Sequence, residues 1–335
     1  MSIETSFIIP AFNAERSIKD CLDSIYAQVV SPESFEVILV DNNSKDQTIV
    51  IASRFPFLQI IKEPRQGRSY ARNTGAREAR GKFLAFVDSD VVLEKTWLKE
   101  HLDLWRDGFG GQQGAIIPAQ TDGQESLNRY RYRAVKESTA GSFVLLSLNF
   151  PESPMINSAA CFYTKEAFEK VGGFDPFLIR HEDIDLSKRV FLAGYHLAIN
   201  EKARAFVSYH DIGWASYLKR SFDDGYTKIH YFTKWNQYYQ SATRGKRNLK
   251  YVYFDLIRPL GFFLKTMETY YLLQSLNSLL KILGQIAGMM ASARHSKVQP
   301  MKKSSSQPTY MKVFHHSAVL YEYDPGLILK KVHSP

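Results

Sequence analysis

Cysteine is scarce in this sequence of 335 residues, which contains Cys21 and Cys161 and no other thiol. Two cysteines are too few for the disulfide framework of a small secreted domain. Cys21 lies in a helical pattern and Cys161 in a strand-like one, so we expect buried thiols of a reducing compartment. Wholesale disorder is excluded as well, because 44% of the residues are hydrophobic and 13% are aromatic.

Long hydrophobic runs are also missing. The most apolar stretch, residues 269–293, is interrupted by Lys281, which leaves runs shorter than the roughly 18 apolar residues of a membrane span. The first residues lead directly into a strand-like run, so the sequence predicts no signal peptide. We expect a cytoplasmic protein, with peripheral association at the inner face of the plasma membrane as an open alternative.

Acidic residues are scarce in the C-terminal part of the chain. Residues 1–200 contain 23 Lys and Arg against 26 Asp and Glu, whereas residues 201–335 contain 20 against 8. This excess of positive charge indicates an anionic partner for the C-terminal region, and a solvated basic surface is the alternative. Nucleic acid is not among the predicted partners.

Short apolar runs alternate with amphipathic segments over the first ninety residues. Buried strands are predicted at residues 6–10, 35–40, 58–61 and 83–87, and a helix at residues 70–80. Such strand–helix–strand units predict a Rossmann-like, mostly parallel sheet with helices on both faces and a ligand crevice at the carboxyl ends of the strands. Further strands are predicted at residues 114–117, 159–163 and 203–208.

The C-terminal region has a different pattern. Apolar residues at helical spacing predict a helix whose stripe consists of Leu272, Leu276, Leu279, Leu283 and Ile286. Residues 294–312 are polar and basic and contain Ser and Pro, which is typical of a flexible linker. The predicted division is an α/β domain over residues 1–240, a helical region over residues 241–293, and a basic flexible linker and tail over residues 294–335.

Acidic residues follow two of the predicted strands and open one of the predicted helices. Asp88-Ser89-Asp90 follows a strand, where two carboxylates one residue apart can hold Mg²⁺ or Mn²⁺. Taken alone, that triplet is also compatible with a solvated turn. Asp41 ends another strand and could bind a ligand or cap a turn. Glu182-Asp183-Ile184-Asp185 begins a helix, where the dipole favours carboxylates.

Four segments, in this order, resemble family 2 glycosyltransferases: SFIIPAFNAERSIKDCLDSI, VILVDNNSKDQT, GRSYARNTGAREARGKFLAFVDSD and GGFDPFLIRHEDIDLSKRVFLAGY. The resemblance covers about residues 4–225 and implies the GT-A fold, with a mainly helical C-terminal extension. It also implies an inverting transfer of a sugar from a UDP- or GDP-sugar to a hydroxyl acceptor, with Mg²⁺ or Mn²⁺ as cofactor. The implied acceptor is a glycan or lipid-linked glycan of the cell envelope.

The resemblance also assigns roles to single residues. Asp183 matches the catalytic base, and Glu182 is expected to orient it. The implied metal ligands are Asp90, Asp88 and His210. The implied donor-binding residues are Pro10, Phe12, Asn13, Glu15, Asp41, Arg72, Asp88 and Arg220. The implied acceptor-binding residues are Asn157 and Trp214. Arg68, Arg77 and Arg80 are expected to form a solvated helix face.

Two other functions fit parts of the pattern. A nucleotidyltransferase would need a Gly-rich loop with Arg or Lys after the first strand, and the turn at Pro10–Asn13 has none. A catalytically inactive nucleotide-sugar-binding regulatory or assembly protein is the second alternative. The intact acids Asp88, Asp90 and Asp183 favour an enzyme instead.

The leucine stripe leaves two partners open. An apolar stripe with flanking Lys and Arg can lie in the interface of an anionic membrane, where a lipid-linked acceptor would also be found. The alternative is that the stripe packs on the catalytic domain or on a second copy of the chain, forming a homodimer.

Overall fold

The computed structural model describes residues 3–118, 156–207, 214–235 and 269–292, and short segments at residues 313–314, 320–324 and 327–332. Its main sheet contains the strands β1 (Thr5–Ala11), β2 (Phe35–Asp41), β3 (Leu58–Lys62), β4 (Phe83–Val87), β5 (Val91–Leu93), β6 (Phe109–Pro118), β7 (Ala160–Thr164) and β8 (His196–Val207). The helices are α1 (Ile18–Tyr26), α2 (Thr48–Ala52), α3 (Arg68–Glu78), α4 (Trp97–Leu104), α5 (Lys165–Lys170), α6 (Glu182–Leu192), α7 (Trp214–Lys234) and α8 (Thr269–Ser292).

The sheet has the order β3-β2-β1-β4-β7-β6-β8-β5. Its first four strands are parallel, as the sequence predicts, whereas β7 runs antiparallel between β4 and β6. Successive side chains of a strand point to opposite sides of the sheet, so a strand that is apolar throughout has apolar side chains on both faces. Helices cover both of these faces. Phe7 and Ile9 of β1 pack in the same core as Leu22 of α1, while Ile8 packs with Ala71 of α3 on the other face.

The carboxyl ends of β1, β2 and β4 meet at one edge of the sheet. Ala11 is paired with Asp41, and Ile8 is paired with Phe86. The turns that follow these strands therefore face a common crevice, as expected for a parallel sheet. The antiparallel strand β7 brings a further segment to the same place, because the Asp88 N–H donates to the Ala159 carbonyl at 2.8 Å.

Helix α3 lies unusually close to the sheet. A Cβ atom on Gly75 would overlap Cγ2 of Ile8 and lie 3.1 Å from Cγ2 of Val40. Glycine at this position therefore lets the helix approach β1 and β2. Arg72 lies one turn earlier in the helix. The close packing therefore sets how near Arg72 lies to the sheet where it reaches the crevice.

Two strands are longer than the sequence pattern predicts. β8 begins at His196 rather than at residue 203, and β6 begins at Phe109 rather than at residue 114. The two strands pair along their whole length through an irregularity at Gly114, where a Cβ atom would overlap the Ala203 carbonyl. The polar stretch of β8 is held by Asn200, whose side-chain amide donates to the Glu100 carbonyl at 2.7 Å.

Helices α7 and α8 pack against each other at glycines. A Cβ atom on Gly225 would overlap the Lys281 carbonyl, and one on Gly284 would overlap the Phe222 carbonyl. The packed face of α8 therefore includes Lys281 and Gly284 and not the leucine stripe. Four members of that stripe are 37–47% exposed, namely Leu276, Leu279, Leu283 and Ile286.

The remaining described strands form a separate sheet near the C-terminus. β9 (Val313–Phe314), β10 (Leu320–Asp324) and β11 (Leu327–Val332) pair antiparallel, in a region for which the sequence predicts a flexible tail. Within the described ranges, no helix is long and apolar enough to cross a membrane.

Candidate active site

The crevice at the carboxyl end of β4 contains the first pair of carboxylates. Asp88 and Asp90 are both half-buried in the turn that follows the strand. Asp88 Oδ1 accepts a hydrogen bond of 2.6 Å from Nη2 of Arg72, so this carboxylate is held by a cation from α3. The turn itself is closed by the Val91 N–H, which donates to the Asp88 carbonyl at 3.0 Å.

Arg72 connects the two acidic clusters. Its Nη1 donates to Glu182 Oε1 at 3.1 Å while its Nη2 holds Asp88, and its guanidinium lies 5.2 Å from the centroid of the Phe174 ring. Burial lowers the pKa of Arg72, but the charges of Asp88 and Glu182 outweigh this effect and raise it above its ordinary value. The side chain is fully buried. Its guanidinium thus contacts the carboxylates of both clusters, and its expected role in donor binding stays a prediction.

The three acids at the start of α6 differ in their partners. Glu182 is buried and held by Arg72, with Arg68 at 3.7 Å. Asp185 is also buried and accepts from Arg189 at 2.7 Å, from Lys234 at 2.8 Å and from the Trp235 indole N–H at 3.0 Å. It therefore ties α6 to α7.

Asp183 is the third of these acids and the one with no ion pair within 4 Å among the described residues. It is half-buried, and its Oδ1 accepts from the Ile184 N–H at 2.8 Å. Burial raises its pKa above the ordinary value, and the neighbouring charge of Glu182 raises it further. The Ile184 N–H, Arg72 and Arg68 lower it by smaller amounts. The result is a carboxylate that binds a proton more readily than an ordinary aspartate.

The residue before this helix has a strained backbone. His181 adopts the left-handed region, with φ 68° and ψ 11°, which is uncommon for residues other than glycine. Its ring stacks on Tyr231 of α7 at a centroid distance of 5.5 Å, and burial lowers its pKa. The surrounding contacts hold this conformation, as is typical of strained residues next to functional groups.

The turn after β2 contains Asp41, which is 8% exposed. Asp41 Oδ1 accepts from the Ser44 N–H at 2.9 Å, which is the turn-capping role that the sequence offered as the alternative to ligand binding. This turn is braced from the β1 side by Asn13, whose Oδ1 accepts from the Lys45 N–H at 2.8 Å. Glu15 adds a further brace, since its Oε2 accepts from the Gln47 N–H at 3.0 Å. Asn13 and Glu15 therefore shape the turn that carries Asp41.

Two further residues predicted to bind the donor lie at this same edge. Pro10 is half-buried in β1, and Phe12 directly after the strand leaves half of its ring exposed. Arg220, which is also predicted to bind the donor, lies on α7, where it is half-buried and engaged with neighbouring groups.

The acceptor-side predictions divide between described and undescribed parts of the chain. Asn157 lies beside the acidic turn, where its Oδ1 accepts from the Ala159 N–H at 2.9 Å and its own N–H donates to Gln113 Oε1 at 2.6 Å. Trp214 is the first residue of α7, and its side chain lies outside the described atoms. His210, the third predicted metal ligand, lies outside the described residues.

The sequence profile of the family described as Glycosyl transferase family 2 matches residues 6–172, about half of the chain. The chain belongs to this family. The matched range includes Asp41, Arg72, Asp88 and Asp90 and ends before the acids of α6.

Two curated relatives are also named as glycosyltransferases. Glycosyltransferase AglE from Haloferax volcanii is 31% identical over 201 residues, which is 57% of this chain and 62% of that protein. An uncharacterised glycosyltransferase from Haemophilus influenzae is 40% identical over 182 residues, 54% of this chain and 59% of the relative. The chain thus matches about six-tenths of the length of these two relatives.

The fold is also found in the solved structure of another protein. The mannosyltransferase PcManGT from Pyrobaculum calidifontis, whose structure contains GDP-Man and Mn²⁺, superposes with a TM-score of 0.54 and 18% identity. The superposition covers 88% of this chain and 76% of that one. At this identity the likeness shows the fold, and it confirms the predicted GT-A architecture.

The crevice of this family 2 protein contains carboxylate oxygens that fit a hard divalent cation. Asp88 and Asp90 supply carboxylate oxygens from one side of the crevice, which suits Mg²⁺ or Mn²⁺ with water and phosphate as the remaining ligands. No group of three or more His, Cys, Asp or Glu side chains that could hold a metal occurs in the described part of the chain.

One residue of this crevice was not predicted. Arg68, expected on a solvated helix face, lies 3.7 Å from Glu182 and is 41% exposed at the N-terminus of α3. Arg77 and Arg80 do bond away from the crevice, to Thr74 at 2.7 Å and to Glu36 at 2.8 Å. The sequence distinguishes Arg68 from them only through Gly67 before it, whose φ of 141° turns the chain into the helix.

Proposed function

We propose that this family 2 protein transfers a sugar from a nucleoside diphosphate donor to a hydroxyl acceptor with inversion, using Asp183 as the base. The observation that carries the proposal is the difference among the acids of α6. Glu182 and Asp185 are buried and ion-paired, whereas Asp183 is half-exposed without an ion pair among the described residues. A base needs a carboxylate that can both reach a substrate and accept a proton.

The raised pKa of Asp183 suits this role. A general base works best when its pKa lies close to the pH at which it operates, and burial beside Glu182 moves Asp183 in that direction. Its carboxylate would take the proton of the acceptor hydroxyl as that oxygen attacks the anomeric carbon. In a single displacement the leaving diphosphate departs from the opposite face, so the configuration inverts.

The donor side is proposed to lie along the edge formed by β1, β2 and β4. Asp41 can accept a hydrogen bond from a base or ribose through the carboxylate oxygen that does not hold Ser44. The exposed ring of Phe12 offers an apolar wall beside it. A protein of the same fold binds GDP-Man and Mn²⁺, which supports a nucleotide-sugar donor, either UDP- or GDP-linked, at this edge.

Asp88 and Asp90 are proposed to hold Mg²⁺ or Mn²⁺ together with the donor phosphates. Bound there, the cation would supply positive charge to the departing diphosphate. Arg72 orients Asp88 from the protein side, because its Nη2 donates to Asp88 Oδ1 at 2.6 Å. Arg72 also stays a proposed donor-binding residue at this crevice.

We propose a glycan or lipid-linked glycan of the cell envelope as the acceptor, with Asn157 and Trp214 on the acceptor side. Such an acceptor would place the protein at a membrane surface. The support is the exposed leucine stripe of α8 in a region where basic residues outnumber acidic ones by 20 to 8. An apolar stripe within a basic region suits the interface of an anionic bilayer.

The test compares the wild type with Asp183→Asn. Nucleotide sugars are first screened by thermal shift with and without Mn²⁺, and transfer or hydrolysis is then measured with the donor that binds. Removing the proton acceptor should lower turnover by roughly 10²-fold or more while donor affinity stays within about twofold. The anomeric configuration of the product is read by NMR.

Three outcomes would contradict the proposal. A product that retains the donor configuration would exclude the single displacement. Donor binding with no turnover by the wild type, across donors and acceptors, would identify a nucleotide-sugar-binding protein without catalysis. If Asp183→Asn lost donor affinity in proportion to rate, Asp183 would belong to the donor site.

A further inference from the structure

Helices α7 and α8 approach each other so closely at two glycines that main-chain atoms of the two helices are in contact. At Gly225 a Cβ atom would overlap the Lys281 carbonyl, and at Gly284 one would overlap the Phe222 carbonyl. Two such glycines, one on each helix, allow the helices to approach more closely than side chains permit. Because the two overlaps are with main-chain atoms, the position of α8 along α7 is fixed.

An ion pair lies directly beside this contact. Lys281 Nζ of α8 is 2.9 Å from Oδ2 of Asp224, the residue before Gly225 on α7. The side chains are 31% and 23% exposed, so water screens this pair only in part. Burial raises the pKa of Asp224, but Lys281, His181 and Arg180 outweigh it and keep that pKa below the ordinary value.

Asp224 faces a second pair of side chains, Arg180 and His181, with its other oxygen. Its Oδ1 is 3.7 Å from Nε of Arg180 and 4.0 Å from Nε2 of His181. These two residues immediately precede Glu182 and Asp183 in the chain. The Asp224 carboxylate of α7 thus lies between Lys281 of α8 and the turn at Arg180 and His181 that leads into α6.

That turn needs outside support. His181 is in the left-handed conformation without a side-chain cap, and Nδ1 of its ring has no hydrogen-bond partner among the residues that the structure describes. A non-glycine residue in this region is strained and persists only when its surroundings hold it. Here the surroundings are Asp224 and the stacked ring of Tyr231, both on α7.

We infer that Lys281 and Asp224 are positioning residues for the base, and that α8 fixes the direction of Asp183 through them. This inference rests on the proposed role of Asp183. Lys281 orients the Asp224 carboxylate, Asp224 holds Arg180 and His181, and the left-handed turn at His181 sets where the first residues of α6 point. A small change in the packing of α8 would therefore change the position of Asp183 and not the sheet edge formed by β1, β2 and β4.

The test uses Asp224→Asn and Lys281→Met in the full chain. Both should lower kcat by roughly tenfold or more while the KM for the donor stays within about twofold, because a misplaced base costs rate without costing donor binding. Lys281→Arg preserves the cation and should restore most of the rate. Because partial unfolding would also lower the apparent kcat at constant KM, the rates are expressed per folded molecule.

The chain offers a matched control on the same helix. Lys219 and Asp223 form an i,i+4 pair on α7, with Lys219 75% exposed. Lys219→Met and Asp223→Asn remove the same charges next to the network without touching it. Both controls should retain the wild-type kcat, and a loss equal to that of Asp224→Asn would overturn the inference.

A second readout is independent of catalysis. Hydrogen exchange measured by mass spectrometry should become faster in peptides covering residues 178–186 in Asp224→Asn and Lys281→Met, and should be unchanged in the two controls. If exchange is unchanged in all four variants, the link from α8 to the base turn is wrong. If exchange changes as expected but the wild type shows no transfer with any donor, the link stands and the proposed function fails.

Discussion

Asp183 lies between groups that act on its pKa in opposite directions. Burial and Glu182 raise the pKa, whereas Arg72 and Arg68 lower it. Arg72 is fully buried and holds two carboxylates, so its removal would leave buried charges unpaired and cost several kcal/mol of stability. Arg68 is 41% exposed, so its charge can be removed with little effect on the fold.

Arg68→Gln should therefore change the pH dependence of the rate. The base works ionised, so kcat falls as the pH drops through the pKa of Asp183. Loss of the nearby positive charge raises that pKa, and the acid limb of the kcat profile should move upward by roughly 0.2–0.7 pH unit. This range follows from about 0.2–1 kcal/mol for a partly exposed charge and about 1.36 kcal/mol per pKa unit.

Arg77→Gln is the matched control for this measurement. Arg77 is exposed on the same helix and donates to Thr74. It carries the same charge but does not act on Asp183. The acid limb should stay in place in this variant. A downward shift with Arg68→Gln, or equal shifts in both variants, would show that Asp183 does not set the acid limb.

The sequence was sufficient to locate the acids but not to describe their partners. Asp41, Asp88 and Asp90 follow runs of apolar residues, and the ends of such runs are easy to place. The role of Arg72 depends on Asp88 and on Glu182, which is 110 residues further along the chain. No local pattern shows that two carboxylates so far apart share one guanidinium.

At the scale of elements, the distance of α3 from the sheet is set by a glycine, which has no side chain. Gly75 lies against Ile8 and Val40, which are buried and belong to two different strands. Neither side chain can move without disturbing the packing of the neighbouring strands β1 and β2. The packing of α3 sets the position of Arg72, so the fit at Gly75 also affects the crevice.

Gly75→Ala should destabilise the protein despite the better helix propensity of alanine. Overpacking a well-packed core costs roughly 1–3 kcal/mol, which exceeds the gain of about 1 kcal/mol from replacing glycine within a helix. The measurement is the midpoint of urea unfolding at constant m-value. Arg77→Ala on the exposed face of α3 should change stability by less than about 0.5 kcal/mol. A stabilised Gly75→Ala would mean that α3 can move away from the sheet at no cost.

The predicted elements were most accurate where the pattern is purely apolar. β4 has the bounds that the sequence predicts, and β1 and β2 differ by one residue at their ends. β8 was predicted too short because its first half is polar and is held by Asn200. The packing face of α8 was also missed, since it is marked by a glycine and a lysine and hydrophobic periodicity detects neither.

At the scale of the whole molecule, charge and apolar exposure occur in the same region. Residues 201–335 have 20 basic against 8 acidic residues, and α8 exposes four aliphatic side chains. We predict that the full chain sediments with vesicles of phosphatidylcholine and phosphatidylglycerol but not with phosphatidylcholine vesicles. High salt should release it, because attraction between exposed charges is screened.

The variant for this test is the double change Leu279→Asn and Leu283→Asn. It removes apolar area from the exposed stripe, where the two leucines are 41% and 47% exposed, and should reduce sedimentation several-fold. Val50→Asn changes a half-exposed apolar residue on α2 and should have no effect. If the wild type stays in the supernatant at low salt and forms dimers by light scattering that the double variant lacks, the stripe joins two copies.

The bridge formed by Arg72 has a consequence for the order in which the protein is made. During synthesis Arg72 leaves the ribosome long before Glu182, which lies 110 residues later. Until then the guanidinium has Asp88 but lacks its second carboxylate, and burying it half-paired would be costly. The first strands can pair early, yet the crevice between α3 and α6 should stay hydrated until the second half of the domain has emerged. The nascent N-terminal half would therefore hold its active-site face open to water, and to chaperones, while the 110 residues that separate Arg72 from Glu182 are being translated.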